Sequence, residues 1–200
     1  MLIDFQTDLR LQDHRVLLRR FRATDLQELA PVAFDVDIWR FTPNRISTWQ
    51  ELETWGQQVV QGYATGSRYT FLIVDRATGQ LAGSTSYGNI SEPDKRLEIG
   101  WTWLGKDFRG SGLNRHCKFL LLQHAFETLQ MERVELKTDA LNLRSRRAML
   151  KLGAVEEGIL RSHTHMHDGR RRDTIYYSIL RQEWAGIKER VFPDLAAHPA

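Results

Sequence analysis

Two hydrophobic periods take turns along this chain. Short aliphatic, β-branched and aromatic runs mark strands, and apolar stripes recurring every three or four residues mark helices. Residues 1–14 read as a loose lead-in, and 14–21 (HRVLLRRF) as a first strand. Thr24 is the expected cap of a first helix running to about Ala33, with Asp25 and Glu28 in its first turn, where negative charge suits the dipole. Residues 34–44 are irregular and end on Pro43-Asn44. Ser47 or Thr48 caps a second helix with apolar positions at Leu52, Trp55, Val59 and Tyr63, closed by Gly66. Strands follow at 69–74, 81–90 and 97–104, with turns at 75–80 and 91–95.

The helix after residue 112 repeats Phe119, Leu122, Phe126 and Leu129, and Cys117, Leu121 and Ala125 widen its buried stripe. A short strand at 134–138 leads through the loop 139–142 to a helix that Asn142 or Ser145 caps and Gly153 terminates. A last hairpin, 155–167 and 174–180, turns on Asp168-Gly169. A short helix at 184–190 precedes a tail from Phe192 to Ala200, expected to be loose over 193–200. The order β-α-α-β-β-β-α-β-α-β-β predicts an α/β (mixed α+β) chain: one domain over 1–200 with a mixed, mostly antiparallel central sheet and helices on both faces.

Composition narrows the function classes. The 200 residues are 42% hydrophobic, enough for a sizeable core. The net charge of +3, with acids and bases interspersed, allows an anionic ligand; nucleic acid is not an expected partner, since no binding motif or basic helix is present. The single cysteine, Cys117, forbids an intramolecular disulfide, which fits a reducing, cytoplasmic setting. The N-terminus lacks an apolar signal core, and no apolar run approaches the roughly 18 residues of a membrane span.

Chemistry concentrates in residues 96–129. A strand there gives way to Arg109-Gly110-Ser111-Gly112 and then to an amphipathic helix. A glycine-rich turn opening a helix presents free N–H groups and a favourable dipole, which suits a pyrophosphate. Gly110 and Gly112 let the ligand approach the backbone closely.

This order, with GWTWLGKDFRGSGLN (100–114), TDALNLRSRRAMLKLGAVEEG (138–158) and HMHDGRRRDTIYYSILRQEW (165–184), resembles the GNAT superfamily of acyl-CoA-dependent N-acetyltransferases. The C-terminal half is similar to the Rim-type branch, named for ribosomal-protein N-terminal acetyltransferases. The likeness is good over 69–184; the first 65 residues share only the strand–helix–helix plan. Asp107 stands where the broad pattern has Gln or Arg, while the Arg that the Rim branch often uses is present as Arg109. Arg115, at the positive end of the helix dipole, calls for a nearby anion, which fits a bound phosphate.

The resemblance implies acetyl-CoA as co-substrate, no metal, and direct transfer to a primary amine, either a protein N-terminus or a small molecule, through a ternary complex. Trp103 and Leu104 would pair with the pantetheine arm by backbone groups, one nearby N–H serving the oxyanion. Arg109, Gly110, Ser111, Gly112 and Asn114 would hold the pyrophosphate. Asn142 would contact the arm, and Ser145 would protonate the departing thiolate, although both also suit helix caps. Glu98, expected on one strand face with Gly100, Thr102 and Leu104, could accept the amine proton through water. Trp39 falls in the irregular stretch that shapes acceptor pockets in the family. Rim-type relatives are often dimers, so a homodimer is among the expected assemblies.

Other features read more plainly. His163, His165 and His167 share a strand face but span roughly 13 Å, too far for one tetrahedral metal site. Cys117 belongs to the buried stripe. Arg170-Arg171-Arg172 reads as a solvated hairpin, with attraction of an acidic acceptor as the functional alternative. A non-catalytic acyl-CoA-binding sensor on the same fold would share the Arg109–Gly112 cradle and differ at Glu98 and Ser145. A basic RNA-associated module is the third reading.

Overall fold

The computed structural model describes residues 3–197. Its frame is an eight-stranded sheet: β1 (Leu11–Gln12), β2 (Val16–Arg20), β3 (Arg68–Asp75), β4 (Leu81–Ser91), β5 (Arg96–Leu104), β6 (Arg133–Asp139), β7 (Val155–His165) and β8 (Arg171–Leu180), in the order β1-β2-β3-β4-β5-β6-β8-β7. Every neighbouring pair is antiparallel except β5 and β6. The helices are α1 (Leu26–Ala33), α2 (Trp49–Thr65), α3 (Leu113–Gln123), α4 (Leu143–Lys151), α5 (Arg181–Val191) and α6 (Pro193–Ala196).

Adjacent residues of β5 show that helices cover both faces. Trp103 packs on Trp39 and on Trp55 of α2, at 5.3 and 6.0 Å between ring centroids. Thr102 meets Lys118 of α3 on the other side. Within the α3 layer, Trp184 of α5 packs against Phe119 and Phe126, and Ile187 of α5 closes on Gly153 at the end of α4.

Local chemistry sets the boundaries. Thr48 and Glu51 cap α2 reciprocally: Glu51 N–H donates to Thr48 Oγ1 at 3.2 Å, and Thr48 N–H to Glu51 Oε2 at 3.1 Å. Gly66 ends the helix at φ 67°. Asn142 caps α4 by accepting from Ser145 N–H at 3.1 Å. Thr24 is not the cap expected for α1; it lies inside a short 3₁₀ turn, and Asp25 reaches back to Arg22 N–H at 2.7 Å.

The described segments near both ends dock where the sequence reading has them loose. Ile3 and Phe5 are buried, and Leu11 pairs with Leu18 to start the sheet. At the other end Phe192 and Leu195 are buried and Pro193–Ala196 is helical; only 198–200 of the expected tail lie outside the described residues. The helix expected to continue smoothly to Leu129 widens after Gln123, with Leu129 N–H donating to the carbonyl five residues back, His124. The arginine run is largely engaged: Arg170 pairs with the buried Asp139, Arg171 bonds Ser162, and Arg172 is buried with Nε donating to Thr174 at 3.0 Å.

Candidate active site

The site begins where two strands part. β5 and β6 are paired in register only at Arg96 with Arg133, Leu97 with Val134 and Glu98 with Glu135. Beyond that, β5 stays with β4 and β6 stays with β8. Residues 99–104 of β5 therefore present an edge without a β6 partner, and a wedge opens toward the C-terminal ends of both strands. A gap at the carboxyl ends of parallel strands is a natural ligand crevice. One lip continues into the glycine loop and α3, the other into Asn142 and α4.

A bulge shapes the β5 side. Ser84 faces Trp103 while Ser86 faces Gly100, so β5 holds one extra residue, and Trp101 takes φ 50°. The bulge reverses the alternation. Glu98 and Gly100 share a face, but Thr102 turns to α3 and Trp103 joins the Glu98 side, contrary to the grouping of Glu98 with Thr102. Gly83 at φ 150° lets β4 approach here, since a Cβ on it would lie 2.1 Å from the Trp103 carbonyl oxygen.

Glu98 is 2% exposed. Its Oε2 pairs with Lys137 Nζ at 2.8 Å and accepts from Asn89 Nδ2 at 2.7 Å. Its Oε1 accepts no hydrogen bond among the described residues and lies 2.7 Å from where a Cβ on Gly100 would sit. The carboxylate thus leans along β5 toward the bulge, through space that only glycine leaves open.

In the loop, Gly110 and Gly112 adopt φ 77° and 86°, and a Cβ on either would meet nothing within 4 Å. The N–H groups of Gly110, Ser111, Gly112 and Asn114 have no acceptor among the described residues. Ser111 Oγ donates to the Phe108 carbonyl at 2.8 Å. Arg109 turns inward: its Nε donates to the Leu104 carbonyl at 2.9 Å and its guanidinium pairs with Asp35 at 2.8 Å. Its side chain pins the loop to the end of β5, leaving backbone donors facing outward. Arg115, which called for a phosphate, has a protein anion instead, pairing with Asp194 and the Val191 carbonyl, each at 2.8 Å.

On the opposite lip, Ser145 is half-buried in the first turn of α4, and its hydroxyl has no partner among the described residues. Trp39 is 4% exposed, with its indole N–H donating to the Ala33 carbonyl at 2.8 Å. It backs Trp103 rather than lining an open pocket. His163 bonds Thr174 and His167 meets the Trp39 carbonyl, so these imidazoles serve separate contacts.

A groove of about 530 Å³ lies on the α2 side, lined among others by Gln57, Gln61, Arg68, Asn89 and Trp101. Arg68 stacks over the half-exposed Trp101 ring, 5.3 Å from its centroid. Asn89 links this groove to Glu98. Sequence reasoning missed Asn89, Lys137, Asp35 and Lys118. Lys137 and Asp35 act from segments distant in sequence and Asn89 acts across the β4–β5 hairpin, and no local pattern signals them.

The Acetyltransferase (GNAT) domain profile matches residues 15–155. The chain is 28% identical over 187 residues to the Bacillus subtilis protein named "Putative ribosomal N-acetyltransferase YdaF", covering 88% of this chain and 97% of that one. Among solved structures, a GCN5-related N-acetyltransferase from Brucella melitensis superposes with a TM-score of 0.85 at 26% identity, covering 92% of this chain and 83% of that one. An acetyltransferase structure from T. thermophilus gives 0.84 at 34% identity, covering 94% and 98%. With the profile spanning most of the chain and the wedge and glycine loop in place, this protein belongs to the GNAT family and is an acetyltransferase.

Proposed function

We propose that the protein transfers the acetyl group of acetyl-CoA directly to a primary amine within a ternary complex. The observation that carries this reading is the unpaired edge of β5 running into the glycine loop at the start of α3. The outward N–H groups of Gly110, Ser111, Gly112 and Asn114 suit a pyrophosphate at the α3 N-terminus. The edge of β5 that β6 leaves unpaired, ending at Trp103 and Leu104, suits the amides of a pantetheine arm, as an added strand would. Asn142 stands across the wedge to contact the same arm.

In this reading the amine lone pair attacks the thioester carbonyl carbon. A β5 N–H near the bulge stabilises the developing oxyanion. The C–N bond forms, the C–S bond breaks, and the amine proton passes to Glu98, directly or through water. Ser145, whose hydroxyl is otherwise unengaged, gives a proton to the departing thiolate. Placing both substrates side by side supplies much of the acceleration. The groove beside Trp101 and Asn89 offers the amine an approach to Glu98. The word ribosomal in the name of the Bacillus subtilis relative favours an amine of the ribosome as acceptor.

The test is release of CoA thiol from acetyl-CoA with a panel of N-terminal peptides and small amines. Ser145→Ala is expected to lower kcat about 10-fold or more while acetyl-CoA affinity stays within twofold. Binding of acetyl-CoA without turnover of any amine would instead favour a sensor.

A further inference from the structure

One helix of this fold buries a cation that no carboxylate pairs among the described residues. Lys118 of α3 is 5% exposed, and its Nζ donates to Thr102 Oγ1 at 2.8 Å. Thr102 in turn contacts Thr85 Oγ1 at 2.8 Å and the Gly100 carbonyl at 3.3 Å. No carboxylate pairs with Lys118 among the described residues, and burial pushes its ammonium down to about 8. An ammonium carries three donors, and Thr102 takes one. Burying such a group costs free energy that a single hydroxyl does not recover.

A second orphan lies one helical turn away. Asn114 Oδ1 is buried and accepts no hydrogen bond. Residues four apart share a helix flank, so Asn114 and Lys118 stand on the same side of α3. Their place on α3 is specific. Asn114 directly follows the glycine loop, and Lys118 reaches the stretch of β5 that β6 does not pair.

One acceptor short of a donor and one donor short of an acceptor match a secondary amide, with N–H toward Asn114 and C=O toward Lys118. We propose that Asn114 and Lys118 form a binding subsite for an amide of the pantetheine arm, between the pyrophosphate cradle and the reacting thioester. The inference rests on the acetyl-CoA reading above and extends it to two side chains of α3. Lys118 is a positioning residue here: it fixes the arm and so the distance from cradle to thioester.

The experiment compares two ligands by calorimetry on the full chain: acetyl-CoA, and 3′-phospho-ADP, which keeps the phosphates and lacks the arm. Lys118→Met keeps length and removes the charge. The expected result is a Kd for acetyl-CoA at least 10-fold weaker, with the Kd for 3′-phospho-ADP within twofold of the parent. Asn114→Ala is expected to weaken acetyl-CoA by a smaller factor in the same direction. Lys118→Gln, which retains a neutral donor, should recover part of the loss and serves as the second variant should the methionine not fold. Unchanged acetyl-CoA affinity in Lys118→Met, or equal loss of both ligands, overturns the subsite. A parent that binds neither ligand overturns the acetyl-CoA reading itself, and the subsite with it.

Discussion

Gly100→Ala tests the proposed role of Glu98 without touching Glu98. A Cβ at this position lies 2.7 Å from Glu98 Oε1 and 3.5 Å from its Cδ. Ordinary carbon contacts begin at about 3.5 Å, so the oxygen must withdraw by about 0.8 Å. Lys137 and Asn89 hold Oε2, so the carboxylate pivots about that end and Oε1 loses its aim along β5. A misplacement near 1 Å can cost about 100-fold in rate, and a positioned base contributes about 10²- to 10⁴-fold. The expectation is a kcat about 10- to 100-fold lower with the Kd for acetyl-CoA unchanged. Stability should stay within about 1 kcal/mol of the parent, because alanine in a strand recovers backbone entropy while one flexible side chain shifts. Steady-state kinetics, calorimetry and thermal unfolding read the three quantities. A Gly100→Ala enzyme with parental kcat would refute the assignment of Glu98 as proton acceptor.

Two further predictions concern pH. The folded state releases the Lys118 proton near 8, whereas the unfolded chain keeps it to about 10.4, so the unfolded state binds more protons between those values and stability rises with pH there. At neutral pH this burial costs on the order of 3 kcal/mol. Lys118→Met should therefore raise the Tm of the free protein at pH 7, with the gain shrinking by pH 10; thermal scans at both values decide it. Asp13 behaves oppositely. Burial raises its carboxyl, but hydrogen bonds from His116 and from the Val16 and Arg15 N–H groups outweigh that and hold it below its ordinary value of 3.8. Its contribution is complete above that value and is lost as the pH falls through the lowered one. Asp13→Asn should lower stability at pH 7 and flatten the acid limb below pH 4, measured by urea unfolding across pH 2–7.

The parts of the fold that were legible in the sequence are those where local chemistry decides. Thr48 and the apolar stripe from Leu52 announce α2, Asp168-Gly169 announces the last hairpin, and the strand–glycine–helix order of residues 96–129 announces β5, its glycine loop and α3. What escaped depends on partners far along the chain. Trp101 at positive φ reverses the faces of β5, and tryptophan there gives no turn signal. Arg115 looks like half of a phosphate site until Asp194 folds back onto it. Phe192 and Leu195 fall in a short stretch with no helical or strand period, and the packing of Phe192 on Phe119 and Trp184 is visible only once α3 and α5 come together. Lys118 interrupts an apolar stripe, which sequence periodicity treats as noise, although the interruption carries the unmatched charge.

The most direct test of the account is calorimetric titration of the parent and Gly110→Glu with acetyl-CoA. The glutamate would enter open space at the cradle with its carboxylate among the N–H groups assigned to the pyrophosphate. The expected result is saturable 1:1 binding by the parent and at least a 10-fold loss in a folded Gly110→Glu. Equal binding by both proteins, or none by the parent at high ligand concentration, would contradict it.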